Sequence, residues 1–417
     1  MAVYKGWWVL IGLMLVYAGS NGLLTNSLQL FYPLLTEEFG WDTETVTRPA
    51  KYMFIIGALT SPFAGILLDR YSARHIMLVG LIGIVIGLFF LSKIQTHTQM
   101  VIIYITFACG LSLGGMASNM LVLSRWFKAK IGIAAGLLLM SSSLGGALLP
   151  RILNYTIEQY DWRQAMLVAS ALGAVLMIIP MIFLVKNRPS DLGLKIDGGI
   201  EEDALAKPVS QDPGLTLLEA VSQFRFYLLA FVTASLWFVI VPLLQHQPLY
   251  IQNDLGYSGG ELANFFSFLF ASSVFGKFSF GWLSDFIDKH FSLILSTLIF
   301  AVGVFGLSRL QPDQAMKMYF AATATGLGFA GVFSNIQILF ANYYAGNHYG
   351  KILTILVMID SLAGGFAIGI IAKMRDTTGS YTSSLQLMIT LLLLSMLIVL
   401  VLYGISKRTA KQLSETS

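Results

Sequence analysis

The 417-residue chain is poor in charge, in cysteine and in polar stretches. Only 12% of its residues are charged and 56% are hydrophobic, whereas an ordinary soluble domain carries about a quarter charged residues. A water-soluble chain of this length divides into roughly two or three domains, and no segment here has the composition of one. The single cysteine, Cys109, excludes an internal disulfide and says nothing of redox compartment. There is no Walker loop, no metal-ligand constellation and no nucleophile–base pair, so ATP-driven pumping, metal binding and membrane enzymology are not expected. No cofactor is implied, and no nucleic-acid-binding module is present.

What the chain does have is hydrophobic length. A membrane-spanning helix needs roughly 20 mostly apolar residues. Such runs lie near 7–32, 49–68, 76–93, 100–123, 131–152 and 164–185, then near 225–247, 261–283, 291–310, 317–341, 350–372 and 384–405. The first run follows Lys5 and extends from Trp7 to about Tyr32. That is too long for the apolar core of a secretory signal, and no small-residue cleavage site follows, so it reads as a first span. The expected fold is therefore an all-α membrane protein of twelve spans.

The interval after Lys186 is the only extended polar stretch, with Arg188-Pro189-Ser190-Asp191, Gly198-Gly199, Glu201-Glu202-Asp203 and Pro213-Gly214. It reads as a linker, residues 186–224, between six-helix bundles at 1–185 and 225–417. A repeat supports two related halves. Phe39-Gly40-Trp41 is echoed by Leu255-Gly256-Tyr257, and Gly65 with Asp69 by Gly281 with Asp285, both 216 positions apart. Parallel repeats of this kind place a site near the bilayer midplane. Lys and Arg crowd one set of loops, through Lys5, Arg70, Arg74, Arg125, Lys128 and Lys130, so both termini are expected to be cytoplasmic. The protein is expected in the plasma or inner membrane, as a monomer among bilayer lipids.

Polarity within the spans divides them. The interiors of spans 3, 6, 9 and 12 carry no charged residue, as expected of helices facing lipid. The polar residues lie elsewhere: Asn26 in span 1, Asn119 in span 4, Gln245 and His246 in span 7, and Asn335 in span 10. So do the charges: Lys51 in span 2, Arg151 in span 5, Lys277 in span 8 and Asp360 in span 11. Gly110 with Gly114, and Gly364 with Gly365, suit close helix packing.

The segment Gly65-Ile66-Leu67-Leu68-Asp69-Arg70-Tyr71-Ser72-Ala73-Arg74-His75 resembles the loop motif between helices 2 and 3 of the major facilitator superfamily, with a weaker copy at Gly281-Trp282-Leu283-Ser284-Asp285. The resemblance implies a conformational latch in which the glycines pack against a neighbouring helix, Asp69 and Asp285 meet a helix N-terminus, and Arg70 and Arg74 hold the cytoplasmic side. Further matches are Glu38-Phe39-Gly40-Trp41, Arg125-Trp126-Phe127, Asp161-Trp162-Arg163, Arg188-Pro189-Ser190-Asp191-Leu192-Gly193 and Asp376-Thr377-Thr378-Gly379-Ser380-Tyr381. Together they are similar to the branch of monocarboxylate transporters and oxalate–formate exchangers. That implies alternating-access transport of a small organic anion, by proton symport or anion exchange.

Lys277 falls where these families have a basic residue that engages the substrate carboxylate. An unpaired cation at mid-membrane costs at least ~3 kcal/mol, so it is expected either at the substrate or in an ion pair with an acid such as Asp360. Asp360 is expected to partner such a cation or to carry a proton, because burial favours the neutral acid and a nearby cation the carboxylate. Arg151 and Lys51 either line a vestibule or snorkel to the interface. Tyr17, Asn26, Asn119, Gln245, His246 and Phe333 are further candidates for lining the pathway. Asn26 stands where the animal monocarboxylate transporters have a Lys, and Ser273 where they have an Asp, so their proton relay does not carry over. Two other functions stay open: transport of a larger hydroxycarboxylate or metal-chelating metabolite, and a non-transporting membrane sensor. A sensor is expected to bring a soluble signalling domain or a long tail.

Overall fold

The structure, a computed structural model, describes residues 4–128, 130–198, 215–344 and 349–416. Residues 199–214 of the expected linker lie outside the described residues. Twelve helices among the described residues are long and apolar enough to span a membrane: Gly6–Phe39, Thr43–Leu68, Ala73–Leu91, His97–Trp126, Ile131–Gln159 and Trp162–Phe183, then Phe224–Asp254, Gly259–Leu283, Lys289–Ser308, Ala315–Tyr344, Lys351–Thr378 and Thr382–Lys407. They are spans 1 to 12 below. In hydrocarbon every backbone N–H and C=O must be satisfied within its own segment, which is why these runs are helical over nearly all their length.

Spans 1 and 7 run past their expected ends, to Phe39 and Asp254, because the helix continues beyond the apolar run into a polar turn that hydropathy does not count. Side-chain caps close the starts of several spans. Asp42 accepts from the Thr45 N–H at 2.8 Å, Asp161 from Gln164 at 2.6 Å, and Thr96 with Gln99 forms a capping box at span 4. Span 4 breaks at Gly115, whose backbone sits at φ −83°, ψ −155°. The Asn119 amide bridges the break, donating to the carbonyls of Gly114 (3.0 Å) and Gly115 (2.7 Å).

The spans form two compact units, Met1–Val209 with Leu244–Phe270, and Ser210–Leu243 with Ala271–Ser417. Spans 7 and 8 are thus each shared between the units. Within the first unit, spans 3 and 4 cross at Gly80 and Gly110, where a Cβ on Gly110 would stand 2.8 Å from the Gly80 carbonyl oxygen. Gly114 lies as close to Leu81, so both span-4 glycines serve helix packing as expected. In the second unit, spans 9 and 10 touch backbone to backbone: a Cβ on Gly328 would lie 2.3 Å from Phe300 N.

Exposed apolar stripes mark spans 3, 6, 9 and 12, for example Val79, Ile82 and Ile86 on span 3, whose opposite face of Met77, Leu81, Ile84 and Leu88 is buried. Exposure is not confined to them. Span 2 is the least buried of the twelve, and Leu59, Phe63 and Ile66 stand out on it. Lack of polar residues therefore identifies lipid-facing helices only in part, because an apolar side chain can be exposed on any helix.

Candidate functional site

Lys277 lies mid-way along span 8, half-buried, in the second unit. Its Nζ is 5.5 Å from the centroid of the Phe333 ring on span 10. The neighbouring Gly276 allows this approach, since a Cβ there would stand 2.7 Å from the Leu327 carbonyl oxygen and 2.8 Å from Ala330 Cβ. An ammonium over a ring face gains about 0.5–2 kcal/mol, more as water is excluded. Phe333 also meets Trp237 of span 7, centroids 6.2 Å apart at 70°, and Phe329, 6.5 Å away.

Asp360 of span 11 is 3% exposed. The Thr233 hydroxyl, one turn before Trp237, hydrogen-bonds its carboxyl. Its Oδ1 has no hydrogen-bond partner, and no basic side chain reaches ion-pair distance of it, among the described residues. The partner that Asp360 shows is the hydroxyl of Thr233. Gly364, one turn beyond Asp360, abuts Val241 at 2.7 Å and the Trp237 carbonyl at 3.3 Å, which seats span 11 against span 7. Within the second unit, parts of spans 7, 8, 10 and 11 thus contribute a cation, a buried acid, a hydroxyl and three aromatic rings. Thr233 and Trp237 escaped the sequence reading, although their spacing of four residues puts them on one helix face.

The other candidates fall in the first unit. Tyr17 and Asn26 of span 1 both meet Ser142 of span 5: Asn26 Nδ2 donates to the Ser142 carbonyl at 3.3 Å, and the Tyr17 hydroxyl hydrogen-bonds the Ser142 side chain. A Cβ on Gly145 would lie 2.3 Å from the Ala18 carbonyl oxygen, so this is a tight helix interface. Gln245 accepts from the Tyr32 hydroxyl at 2.9 Å, and Ser267 donates to the Ala147 carbonyl at 2.9 Å. These bonds tie the end of span 7 and the start of span 8 to spans 1 and 5. His246 is buried beside Gln245, whereas Arg151 is exposed. Asn119 spends its amide on its own helix, as described.

A Cβ on Gly65 or Gly281 would meet nothing within 4 Å, so the close helix packing expected of these glycines is absent among the described residues. Arg70 and Asp285 are exposed, and the Asp69 side chain lies outside the described residues. Arg74 is engaged: its Nε donates to the Met181 carbonyl at 3.2 Å and its Nη2 to that of Ile182. It satisfies the open carbonyls at the end of span 6, where a cation is favoured.

The remaining motifs pair up structurally. The Glu38 carboxylate accepts from Arg163 Nη2 at 2.7 Å and from Trp162 Nε1, while Phe39 stacks on Trp41 at 4.6 Å. Gly40 closes that helix at φ +67°, a conformation that favours glycine. At the opposite ends of the spans, Arg125 donates to Asn187 at 2.7 Å and Trp126 Nε1 to the Lys186 carbonyl at 2.9 Å, fastening the start of the linker.

Comparison with known proteins agrees with this architecture. Residues 9–368 and 226–417 match the sequence model of the Major Facilitator Superfamily. The chain belongs to that superfamily. This major facilitator protein is 22% identical over 412 residues to the uncharacterized MFS-type transporter YcxA of Bacillus subtilis (strain 168), covering 97% of each chain. It is 24% identical over 389 residues to monocarboxylate transporter 13 of Bos taurus, 91% of this chain and 85% of that one. A crystal structure of a bacterial homolog to the human lysosomal transporter Spinster, inward-facing and unoccupied, matches it with a TM-score of 0.70 at 15% identity, over 98% of each chain. The last likeness shows the fold. The protein is an integral membrane transporter of twelve spans.

Proposed function

We propose that this transporter moves a small organic anion, a carboxylate, by alternating access, with Lys277 receiving the carboxylate. The observation that carries the reading is Lys277 itself, held mid-span against Phe333 with buried Asp360 in the same helix cluster. A cation in a low-dielectric site attracts a carboxylate far more strongly than it does in water. Phe333 and Trp237 offer apolar walls to the rest of the substrate. Asp360 takes up and releases a proton as its surroundings open and close, which couples transport to protons; in its absence the cycle runs as anion exchange. The loop motif around Gly65 and its copy at Gly281 form a latch in another conformation of the cycle, where Asp69 and Asp285 reach helix N-termini. The protein acts as a monomer in the plasma membrane with both termini in the cytoplasm.

Reconstitution in liposomes with labelled mono-, di- and hydroxycarboxylates, with and without a pH gradient, tests this directly. A charge-assisted hydrogen bond is worth about 1.5–3 kcal/mol, so Lys277→Ala is expected to raise KM for the transported anion by about 10- to 150-fold. Equal transport by wild type and Lys277→Ala removes Lys277 from the site. A pH gradient that drives no accumulation, with counter-transport intact, assigns the protein to exchange.

A further inference from the structure

We infer that the cleft between spans 9 and 10 binds an anionic glycerophospholipid, its acyl chain in the cleft and its phosphate between Arg309 and Lys317. The open-sided cleft has a volume of about 510 Å³, with Val302, Gly306 and Leu310 on one wall and Phe320 and Ala321 on the other. Its position marks it as a lipid surface. Leu295, Leu298, Val302 and Phe305 make one exposed apolar stripe along span 9, and Met316 and Phe320 project from the start of span 10.

The cleft is built into the packing of the two helices. Gly306 faces Ala321, whose Cβ would stand 3.2 Å from a Cβ on the glycine, so two small residues make its floor. Deeper in the membrane, Gly303 and Gly328 bring the helix backbones into contact, with a Cβ on Gly303 only 2.5 Å from Thr325 N. Walls fixed in this way do not collapse to fill the space.

The charge at the mouth selects the occupant. Arg309 and Lys317 both line the cleft and both are exposed, with Arg309 lying over the Phe305 ring at 5.4 Å. Asp313, in the connecting turn, is the one carboxylate between residues 302 and 321. It forms no ion pair with either cation among the described residues. A zwitterionic headgroup would bring a third cation to this mouth. A phosphatidylglycerol headgroup brings a net negative charge, and basic residues beside helices recognise such lipids.

The test is native mass spectrometry of the full chain released from vesicles of palmitoyl-oleoyl phosphatidylcholine containing palmitoyl-oleoyl phosphatidylglycerol. Each basic residue near a membrane surface contributes about fivefold in affinity, so Arg309→Gln with Lys317→Gln is expected to weaken phosphatidylglycerol retention about thirtyfold. Val302→Trp, which fills the cleft and leaves both charges, should also lose the lipid. Arg309→Lys with Lys317→Arg should keep it, and this variant answers the question if the neutralised one fails to fold. Retention equal in the wild type and the neutralised variant, or of phosphatidylcholine as strongly as phosphatidylglycerol, overturns the inference.

Discussion

Tyr32→Phe should loosen the attachment of the end of span 7 to the first unit. The Tyr32 hydroxyl donates to Gln245 Oε1 at 2.9 Å, and both residues are almost fully buried. Removing the hydroxyl leaves the buried Gln245 oxygen without its donor, and the Tyr104 hydroxyl without its Tyr32 partner. Orphaning a buried polar group costs about 1–3 kcal/mol, so the population of the detached state should rise about 5- to 150-fold. Gln247 is a suitable reporter. It is 2% exposed, and neither polar atom of its side chain has a hydrogen-bond partner among the described residues, so Gln247→Cys removes little. In a Cys109→Ser background the reporter is the only thiol, and its maleimide reactivity in detergent follows exposure of the segment. Tyr32→Phe should speed labelling by the factor above. Adding Gln245→Leu removes both partners of this bond and should return labelling part of the way to the starting rate, the rest reflecting the Tyr104 hydroxyl, which also hydrogen-bonds Tyr32. Labelling within twofold of the parent in Tyr32→Phe would refute the idea that this bond holds the segment.

Three further outcomes follow from the packing and capping described. Asn119→Ala strips two hydrogen bonds from the carbonyls at the span 4 break, so thermal unfolding should show a loss of about 1–3 kcal/mol with KM unchanged; a changed KM at unchanged stability would place Asn119 at the substrate instead. Gly328→Ala puts a methyl against the Phe300 backbone and should cost about 1–3 kcal/mol by overpacking, whereas Gly65→Ala, facing open space, should be neutral or slightly stabilising in the same thermal assay. The hydrogen bonds from Thr45 hold the Asp42 carboxyl below the ordinary carboxylate range. Its cap therefore contributes fully above about pH 4 and is lost as pH falls through the lowered value. Asp42→Ala should cost about 1 kcal/mol at neutral pH, and a pH series of melting temperatures should see that difference shrink in acid.

Composition and hydropathy alone were enough to read the solvent, the span count and the presence of Lys277 and Asp360 inside spans 8 and 11. Lipid forces backbone groups to bond within each segment, so a long apolar run can only be a helix. What the sequence did not determine is which polar side chains meet. A soluble helix shows its buried face by an alternation of polar and apolar residues; in these spans lipid-facing and buried faces are both largely apolar, so polarity leaves only a weak periodic trace. It took the packed helices to show that the Asn119 amide bonds its own helix, that Gln245 accepts from Tyr32, and that Thr233 hydrogen-bonds Asp360. The same is true of spans 7 and 8, which a repeat in sequence assigns to the second half. Residues 244–270 of these spans group with the first unit, where Gln245 accepts from Tyr32 and Ser267 donates to the Ala147 carbonyl, because a donor bonds the acceptor within its reach, wherever that lies along the chain.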